Sequence, residues 1–518
     1  MQLKTPTLFL FFTISSLQLN TAQNPTWADD VACIVYNNCT KCHHPGGIAP
    51  VSFLTYDDVY AKRASVRIYV QDRVMPPSPA IPGDIPFRDD NLLTDEEIQT
   101  IVTWVNQGAP SGDLGMAPPA PPIADTEEIP DPDGILKIDT YASQAIFSDD
   151  YRCFAFETNF GEDKWMTGIE IVPGNKNIVH HVILYEDATD VVLGLDEADP
   201  LPGYQCFGGV GSFNANFVGG WVPGQTAQFL PDGMGLLIPT STNLIIQAHY
   251  PEESNGQLDS TKVNLRFAEN GDGLRQIRVT PYINHITSLT NGPLFIPANT
   301  IRSFHAEAVV FGNVSIVSVL PHMHLLGTSM SCYAVLPSMD TIQLFDIPVW
   351  DFDWQLAYHF RSPIHLPFGT RLIADAVYDN TVNNPSNPNF PPQNVSQGEA
   401  TTDEMFLIFF SYLNYETGDE NMVFEDAPPL SDACAGSVST SQPIRPQLKI
   451  SPNPVDRRIV IAAPWSDYTV ALFDGYGRIL LTGHRLTEVY TGSLTEGMYI
   501  IVVENGVERL VEKVMVAH

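Results

Sequence analysis

The sequence predicts a multidomain chain dominated by antiparallel β-structure. A small all-α module comes first, then two antiparallel β-sandwich domains of jelly-roll type, then a small Ig-like β-sandwich. Three observations predict this. Short apolar or alternating runs (Ile169 to Val172, Val179 to Tyr185, Leu244 to Ala248, Ile316 to Leu320) are separated by turn residues, with no long helical period among them, which is the pattern of sandwiches rather than of a parallel α/β sheet. Near the start, Thr94-Asp95-Glu96-Glu97 reads as a capping box opening a helix. Its Ile98, Ile101, Val102 and Val105 share one face, and Gly108 stops it. Two segments of low order, 116–134 with its run Ala117-Pro118-Pro119-Ala120-Pro121-Pro122 and 431–446, divide the chain into domains at 23–115, 135–275, 276–430 and 447–518. A chain of 518 residues is too long for one core.

The first 22 residues read as a secretory signal: Lys4, the apolar run Leu8 to Phe12, a less apolar stretch to Leu19, and a cut after Ala22. Export suits both disulfides and covalent cofactor attachment. No later apolar run approaches the roughly twenty residues needed to span a bilayer, so no membrane span is expected. The composition, 44% hydrophobic with a net charge of -34, supports packed cores and a solvated acidic surface. Such acidity argues against nucleic acid or an anionic membrane as partner.

Within 23–115, Cys39-Thr40-Lys41-Cys42-His43 sets two thiols one helical turn apart, beside an imidazole. Two such thiols can add to the vinyl groups of a haem while the histidine takes the iron. A bare motif of this kind also serves as a zinc-like or redox pair. A second axial ligand is at hand in Met75, within Arg73-Val74-Met75-Pro76-Pro77, where the prolines forbid helix and hold an extended loop. The stretch Cys39 to Asp113, with its Cys-His-His-Pro-Gly-Gly and Met-Pro-Pro, resembles bacterial monohaem c-type cytochrome domains. The resemblance implies covalent haem c held by Cys39, Cys42, His43 and Met75.

Seven cysteines are present. With Cys39 and Cys42 reserved for haem, at most four of the rest can pair, leaving one over. Cys153 and Cys206 flank the first histidine cluster and form the preferred bridge. Cys332 with Cys434 is the second expectation, leaving Cys33 odd.

The histidines carry the chemistry of the β region. His322 and His324 stand two apart, so in an extended strand both imidazoles project from one face and can share a metal. Met405 can add a thioether, and two imidazoles plus a soft sulfur favour copper over zinc or magnesium. His180 and His181 are adjacent, and neighbours in a regular strand point to opposite faces. For both to reach one ion the strand must twist, bulge or end there. His249 completes a three-imidazole set, which suits copper but would also hold zinc. His285, His305, His359 and His365 lack such spacing and read as structural or surface residues. Asp403 and Glu404 read as carboxylates fixing the loop that presents Met405, with proton shuttling the alternative.

Tyr151-Arg152-Cys153, Val179-His180-His181-Val182-Ile183-Leu184, Gln247-Ala248-His249-Tyr250, His322-Met323-His324 and Asp403-Glu404-Met405 occur in one order along residues 135 to 428. In this the chain resembles the copper type II, ascorbate-dependent monooxygenases, the family of the peptidylglycine hydroxylating and dopamine β-monooxygenases. The resemblance implies two eight- or nine-stranded sandwiches facing each other across a solvent-filled cleft. It implies an electron-storing copper on His180, His181 and His249, and a catalytic copper that binds oxygen and substrate on His322, His324 and Met405. The implied reaction inserts one atom of O2 into a C–H bond of a small organic substrate and reduces the other to water. Ascorbate supplies the two electrons in relatives; here an external donor feeding the fused haem is the expected source. Leu320 and Phe409 stand where peptide-amidating members carry an arginine and a tyrosine. Without the guanidinium a peptide carboxylate loses its bidentate partner, so a neutral or apolar substrate is expected. The alternative is a haem and copper electron-transfer or copper-binding protein without hydroxylase activity.

The terminal stretch has the runs Leu448 to Ile450, Arg458 to Ile461, Val470 to Phe473 and Tyr499 to Val503, with an Asn505-Gly506 hairpin signal. Its Ser451-Pro452-Asn453-Pro454, Asp474-Gly475-Tyr476-Gly477-Arg478 and Gly497-Met498-Tyr499 resemble the C-terminal sorting domain of type IX secretion. That implies the type IX machinery as a partner, and a protein that crosses the periplasm to be released or held at the cell surface. A carbohydrate-binding sandwich is the alternative.

Overall fold

A computed structural model of the chain describes residues 24–516, apart from 78–79, 89–91, 123–126, 159, 208, 224, 427–431, 435–447, 452–454, 456, 464, 466, 475–477, 496 and 506–508. The expected signal segment lies outside the described residues. So do most of the 431–446 linker, part of the Pro-rich linker, and Gly506 of the expected hairpin turn. The chain divides into two compact units, Met1–Ser437 and Val438–His518. Among the described residues it is mostly β, with four α-helices.

The first unit begins with three of these helices, α1 (Ala32–Asn38), α2 (Tyr56–Gln71) and α3 (Asp95–Asn106). They enclose a core of Trp27, Val31, Val35, Val59, Ile101 and Trp104. Local chemistry sets α3 as the sequence implies. The Thr94 hydroxyl accepts from Glu97 N at 3.1 Å, the Glu97 carboxylate takes Thr94 N at 2.8 Å, and three acidic residues sit at the positive end of the helix. Past its end Gly108 turns back at φ +91, where a Cβ would be strained. The buried face centres on Ile101 and Trp104, while Val102 and Val105 are half-buried. α2 has no counterpart in the sequence expectations. Its capping box of Thr55 and Asp58 is in place, but Tyr60, Ile68 and Tyr69 lie exposed on it and blur any apolar stripe.

The segment after Met75 leaves the helical module. Ile81–Pro82 pairs antiparallel with the edge strand Thr341–Ile347, and Phe87 is buried against Tyr358 and Phe360. Residues 80–87 therefore help build the core of the second sandwich, although the sequence groups them with the helices.

Two pairs of sheets follow, antiparallel except where Met234–Gly235 runs parallel to Arg275–Gln276. In the first pair, Asp150–Glu157, Asn243–Tyr250, His181–Asp187 and Asn216–Trp221 lie side by side. They cover a sheet built on Met234–Ile238, Lys164–Val172 and Lys262–Phe267, and Ile169, Ile171, Val182, Leu244, Ile246 and Val263 fill the space between. Every residue of Asn243–Tyr250 is buried, which explains why apolar Leu244, Ile245 and Ile246 follow one another without alternation. α4 (Val191–Ala198) caps this layer. In the second pair, Arg278–Asn284, Leu407–Asn414, Val314–His322 and Tyr358–Leu366 face Thr341–Ile347, Gly327–Val335, Arg371–Asn380 and Thr300–Val309. The pairs meet along Met234, Ile277, Val317, Leu413 and Phe424, all buried.

The second unit has a three-stranded sheet (Lys449–Ser451, Arg458–Ala462, Glu488–Tyr490) and a four-stranded one (Ile479–His484, Thr469–Asp474, Gly497–Glu504, Arg509–Val516) around Val455, Ile459, Val470, Ile501, Val503 and Val514. The apolar runs expected as strands fall on these strands or directly beside them. Gly497–Glu504 and Arg509–Val516 pair antiparallel, as a hairpin at Asn505 requires.

One disulfide expectation holds and one is overturned. Cys153 and Cys206 are bonded. Cys434 pairs with Cys33, across 401 residues, and not with Cys332. Cys332 is fully buried within the strand Gly327–Val335, while the short turn Asp432–Cys434 packs on α1. Spacing could not reveal that the chain returns to its first helix. Closing so long a loop restricts the unfolded chain strongly, so Cys33→Ser should lower the unfolding free energy by about 2–4 kcal/mol in denaturant titrations. Non-reducing peptide mapping should recover the Cys33–Cys434 pair and leave Cys332 alkylated only after unfolding.

Candidate functional site

The strand Asn243–Tyr250 lies between Asp150–Glu157 and His181–Asp187, and its register sets His249 directly opposite His181 on one side and Tyr151 on the other. His180 precedes the strand that starts at His181, and its backbone N donates to His249 O at 2.9 Å. The strand thus ends between the two histidines, which lets both imidazoles turn to one place. Nδ1 of His181 is 3.2 Å from Nδ1 of His180 and 3.4 Å from Nδ1 of His249. One ligand atom from each of the three lies within 4.8 Å of the others. Behind them, His249 Nε2 sits 3.1 Å from the Asp149 carboxylate, off the ideal N–H line, and Tyr151 stacks on the His249 ring at 4.3 Å. Asp149 also accepts from the Thr401 hydroxyl at 2.6 Å. Burial alone would raise the Asp149 pKa, but the close His249 imidazole and the hydrogen bond from Thr401 overcome it and hold the carboxyl at about 2. Burial, then repulsion from the neighbouring His249, lowers His180 to about 4, and the same causes hold His181 well below its ordinary value. Three imidazoles with converging nitrogens are a donor set that fits a soft or borderline metal ion.

In the second sandwich, His322 ends the strand Val314–His322 and pairs with Leu407; His324 lies just past the strand end and Met405 just before the partner strand. The two imidazoles stand nearly perpendicular, ring centres 5.0 Å apart. His322 Nδ1 donates to the Gln355 side-chain carbonyl, and His324 Nδ1 donates to the Asp403 backbone carbonyl at 3.1 Å. Each bond fixes a tautomer and leaves Nε2 free to ligate. Burial is the main cause that brings His322 to about 4 and His324 to about 3. Glu404 is fully buried and accepts from the backbone N of His324 (3.0 Å), Leu326 (2.6 Å) and Met405 (3.2 Å), while the Met405 carbonyl takes the Tyr378 hydroxyl at 2.8 Å. This carboxyl holds the loop that presents Met405. Burial pushes its pKa up to about 8 against the pull of those amides.

His180, His181, His322, His324 and Met405 all line one cavity of about 570 Å³, and its walls are mainly apolar: Val182, Phe217, Trp221, Leu236, Leu320 and Phe409. Phe409 packs on Phe217, ring centres 5.1 Å apart, and so joins the two sandwiches. Between the histidine clusters stands Phe352, stacked on His180 at 5.3 Å and edge-on to His324 at 6.1 Å. The expected open cleft is thus spanned here by a phenyl ring. Phe352, Gln355, Asp149 and Thr401 escaped sequence reading, because none shares a local spacing with the histidines it serves. Of the remaining histidines, His285 accepts from Phe406 N, His305 contacts Asp375 and Glu307, and His365 stacks on Tyr415, all structural roles as expected. His359 departs from that expectation, since it lines the cavity.

In the helical module, α1 ends at Asn38 and the chain makes one more helical turn, with His43 N donating to Cys39 O at 2.9 Å, so Cys39 and Cys42 are one turn apart. Both are free thiols. His43 Nδ1 donates to Val51 O at 3.0 Å and its ring stacks on Phe53 at 4.2 Å, leaving Nε2 available. Val74 and Met75 are exposed on the loop after α2, near Ile68 and Tyr69 in sequence. Two uncommitted thiols, an oriented imidazole and uncovered apolar surface fit a covalently attached haem.

Residues 449–517 match the secretion system C-terminal sorting domain. The chain thus carries a type IX sorting domain and is a secreted or cell-surface protein. No helix among the described residues is long and apolar enough to cross a membrane. No curated protein matches the chain. Among solved structures, PNGF-II aligns at 11% identity over 54% of this chain and 66% of its own length, just under two thirds, with a TM-score of 0.21. The infectious bursal disease virus VP2 subviral particle aligns at 9% identity over 56% and 73%, with a TM-score of 0.16.

Two predictions test the site. Folding lowers His180, His322 and His324 below their ordinary 6.5, so below that pH the unfolded chain binds more protons than the folded one. The metal-free protein should therefore have its full stability above pH 6.5 and lose it as the pH falls toward 4, by about 1.4 kcal/mol per histidine per pH unit. Urea titrations of chelator-treated protein across that range read this directly. Gln355→Leu frees the His322 tautomer and should weaken metal binding at that cluster about 10- to 100-fold, measured by competition with a chelator, with little change at the His180 cluster.

Proposed function

We propose that this exported chain is a copper-dependent monooxygenase that hydroxylates a C–H bond of a neutral, apolar organic molecule with O2. The observation that carries the reading is convergence. Buried, neutral imidazoles and a thioether from sequence positions as distant as His180 and Met405 gather as two clusters on a single apolar cavity. One copper would be held through the converging nitrogens of His180, His181 and His249, and a second through Nε2 of His322 and His324 with the sulfur of Met405. Bound copper supplies one-electron steps and oxygen activation. Cys39, Cys42 and His43 would hold a covalently attached haem, which would supply one-electron transfer from an external donor. Each turnover takes two electrons and two protons; one oxygen atom enters the substrate and the other leaves as water.

The protein's own groups prepare the site. Gln355 and the Asp403 carbonyl keep His322 and His324 in the tautomer that offers Nε2. Glu404 fixes the chain on both sides of the second cluster by gripping His324, Leu326 and Met405. The apolar walls exclude water from the reacting bond, and the charged residues on the lining, Arg88, Asp353 and Glu399, are few among them. Leu320 and Phe409 in particular offer nothing that would hold a substrate carboxylate.

Metal analysis of the purified protein should find two coppers per chain, and His249→Ala should lower this to one. Oxygen uptake with a reductant and a neutral aromatic substrate should fall about tenfold or more in Met405→Ala, as expected when a metal ligand is lost. Copper at both sites with no substrate-dependent oxygen uptake would favour electron transfer or copper binding instead. Zinc in their place would set both readings aside.

A further inference from the structure

The helical module contributes to the cavity itself. Ile48, in the loop that follows Cys-x-x-Cys-His, lines the cavity together with Arg88, and 47% of Ile48 remains exposed. This loop is bound tightly to the motif. Ala49 N donates to Cys42 O at 3.2 Å, Gly47 N to His44 O at 3.0 Å and Phe53 N to His43 O at 2.9 Å, while His43 Nδ1 donates to Val51 O. At Gly47 a Cβ would come within 2.4 Å of the Cys42 carbonyl, so backbone lies directly on backbone there. On its other side the module comes near the cavity wall at Lys41, whose charge acts on Glu128, a carboxylate that accepts from Ala227 N. From the segment that has left the module, the Arg88 guanidinium donates to Phe229 O at 3.5 Å. Gln228 and Phe229 line the same cavity.

We propose that the loop 44–50 is a wall of the substrate cavity, that Ile48 contacts a neutral apolar substrate, and that filling the cavity is transmitted through this loop to His43. The inference rests on the reading of the cavity as the substrate site and of Cys39 and Cys42 as haem attachment. It adds that the haem-carrying segment selects the substrate and senses its arrival. A molecule covering Ile48 pushes on a loop whose next residue, Ala49, is bonded to Cys42 and whose Val51 carbonyl orients the iron ligand. Movement there changes the hydrogen bond from Nδ1 of His43 to Val51 O, the kind of bond that tunes an axial imidazole.

The test uses the full-length, haem-loaded protein with copper removed by a chelator, so no turnover intervenes. N-phenyl-1-naphthylamine, a neutral apolar fluorophore, is titrated while its binding and the haem absorbance are followed. The expected result is saturable binding with a parallel shift of the haem bands. Ile48→Trp should weaken binding about tenfold, equivalent to about 1.4 kcal/mol, while haem content and unfolding midpoint stay as in the parent, because the replaced side chain is half-exposed. Affinity within about twofold of the parent in Ile48→Trp, or haem bands that do not move at saturation, would overturn the proposal whatever the fate of the monooxygenase reading. Absence of covalent haem would overturn the transmission to His43. Dependence of binding on Ile48 in a protein that then shows no oxygen uptake supports the cavity wall and leaves only the hydroxylase reading to fall.

Discussion

The two histidine clusters belong to different sandwiches, so the seam between those sandwiches sets everything about their separation. That seam is a buried apolar patch of Met234, Ile277, Val317, Leu413 and Phe424, joined by an ion pair between Arg275 and Asp419 at 2.6 Å. Asp419 is nearly fully buried and also takes the Ser315 hydroxyl, so its partners offset the desolvation that would otherwise raise its pKa. A pair of this kind adds little net stability compared with apolar packing, but it tolerates only one alignment. Phe217 on Phe409 and Thr401 on Asp149 repeat the constraint nearer the cavity. A slip of the seam would alter the distance between clusters before it unfolded either sandwich.

Each cluster stores free energy that a ligand can recover. Their imidazoles are buried, burial favours the neutral form of His180, His181, His322 and His324, and the nitrogens that face the cluster lack the hydration they would have in water. At the second cluster, Gln355 and the Asp403 carbonyl accept from Nδ1 of His322 and His324. At the first, Asp149 approaches His249 from behind, and Tyr151 closes the remaining face.

Legibility followed the range of the interactions. The helix α3 was readable because Thr94, Glu97 and Gly108 act within a few residues of one another. The ligand-type residues of both clusters were readable as chemistry, and the adjacency of His180 and His181 even required the strand end that is found. Their partners were not readable, since Gln355 reaches His322 across 33 residues and Thr401 reaches Asp149 across 252. The strand at Ile81–Pro82 was hidden because two residues, one of them proline, carry no period of their own. The pairing of Cys33 was hidden for a related reason: five cysteines outside the motif allow several pairings, and only the return of the chain to α1 selects among them.

That pairing gives the chain a particular topology. From Cys33 to Cys434 the polypeptide is a covalently closed circle that holds both histidine clusters and the thiols of the helical module, while residues 449–517 follow it in sequence as a tail outside the closure. A protease that severs the tail therefore leaves the circle unbroken, and a single nick within the circle opens it without releasing a fragment. Outside the cell, both histidine clusters and the helical module stay on one molecule until a second cut or a reductant separates them.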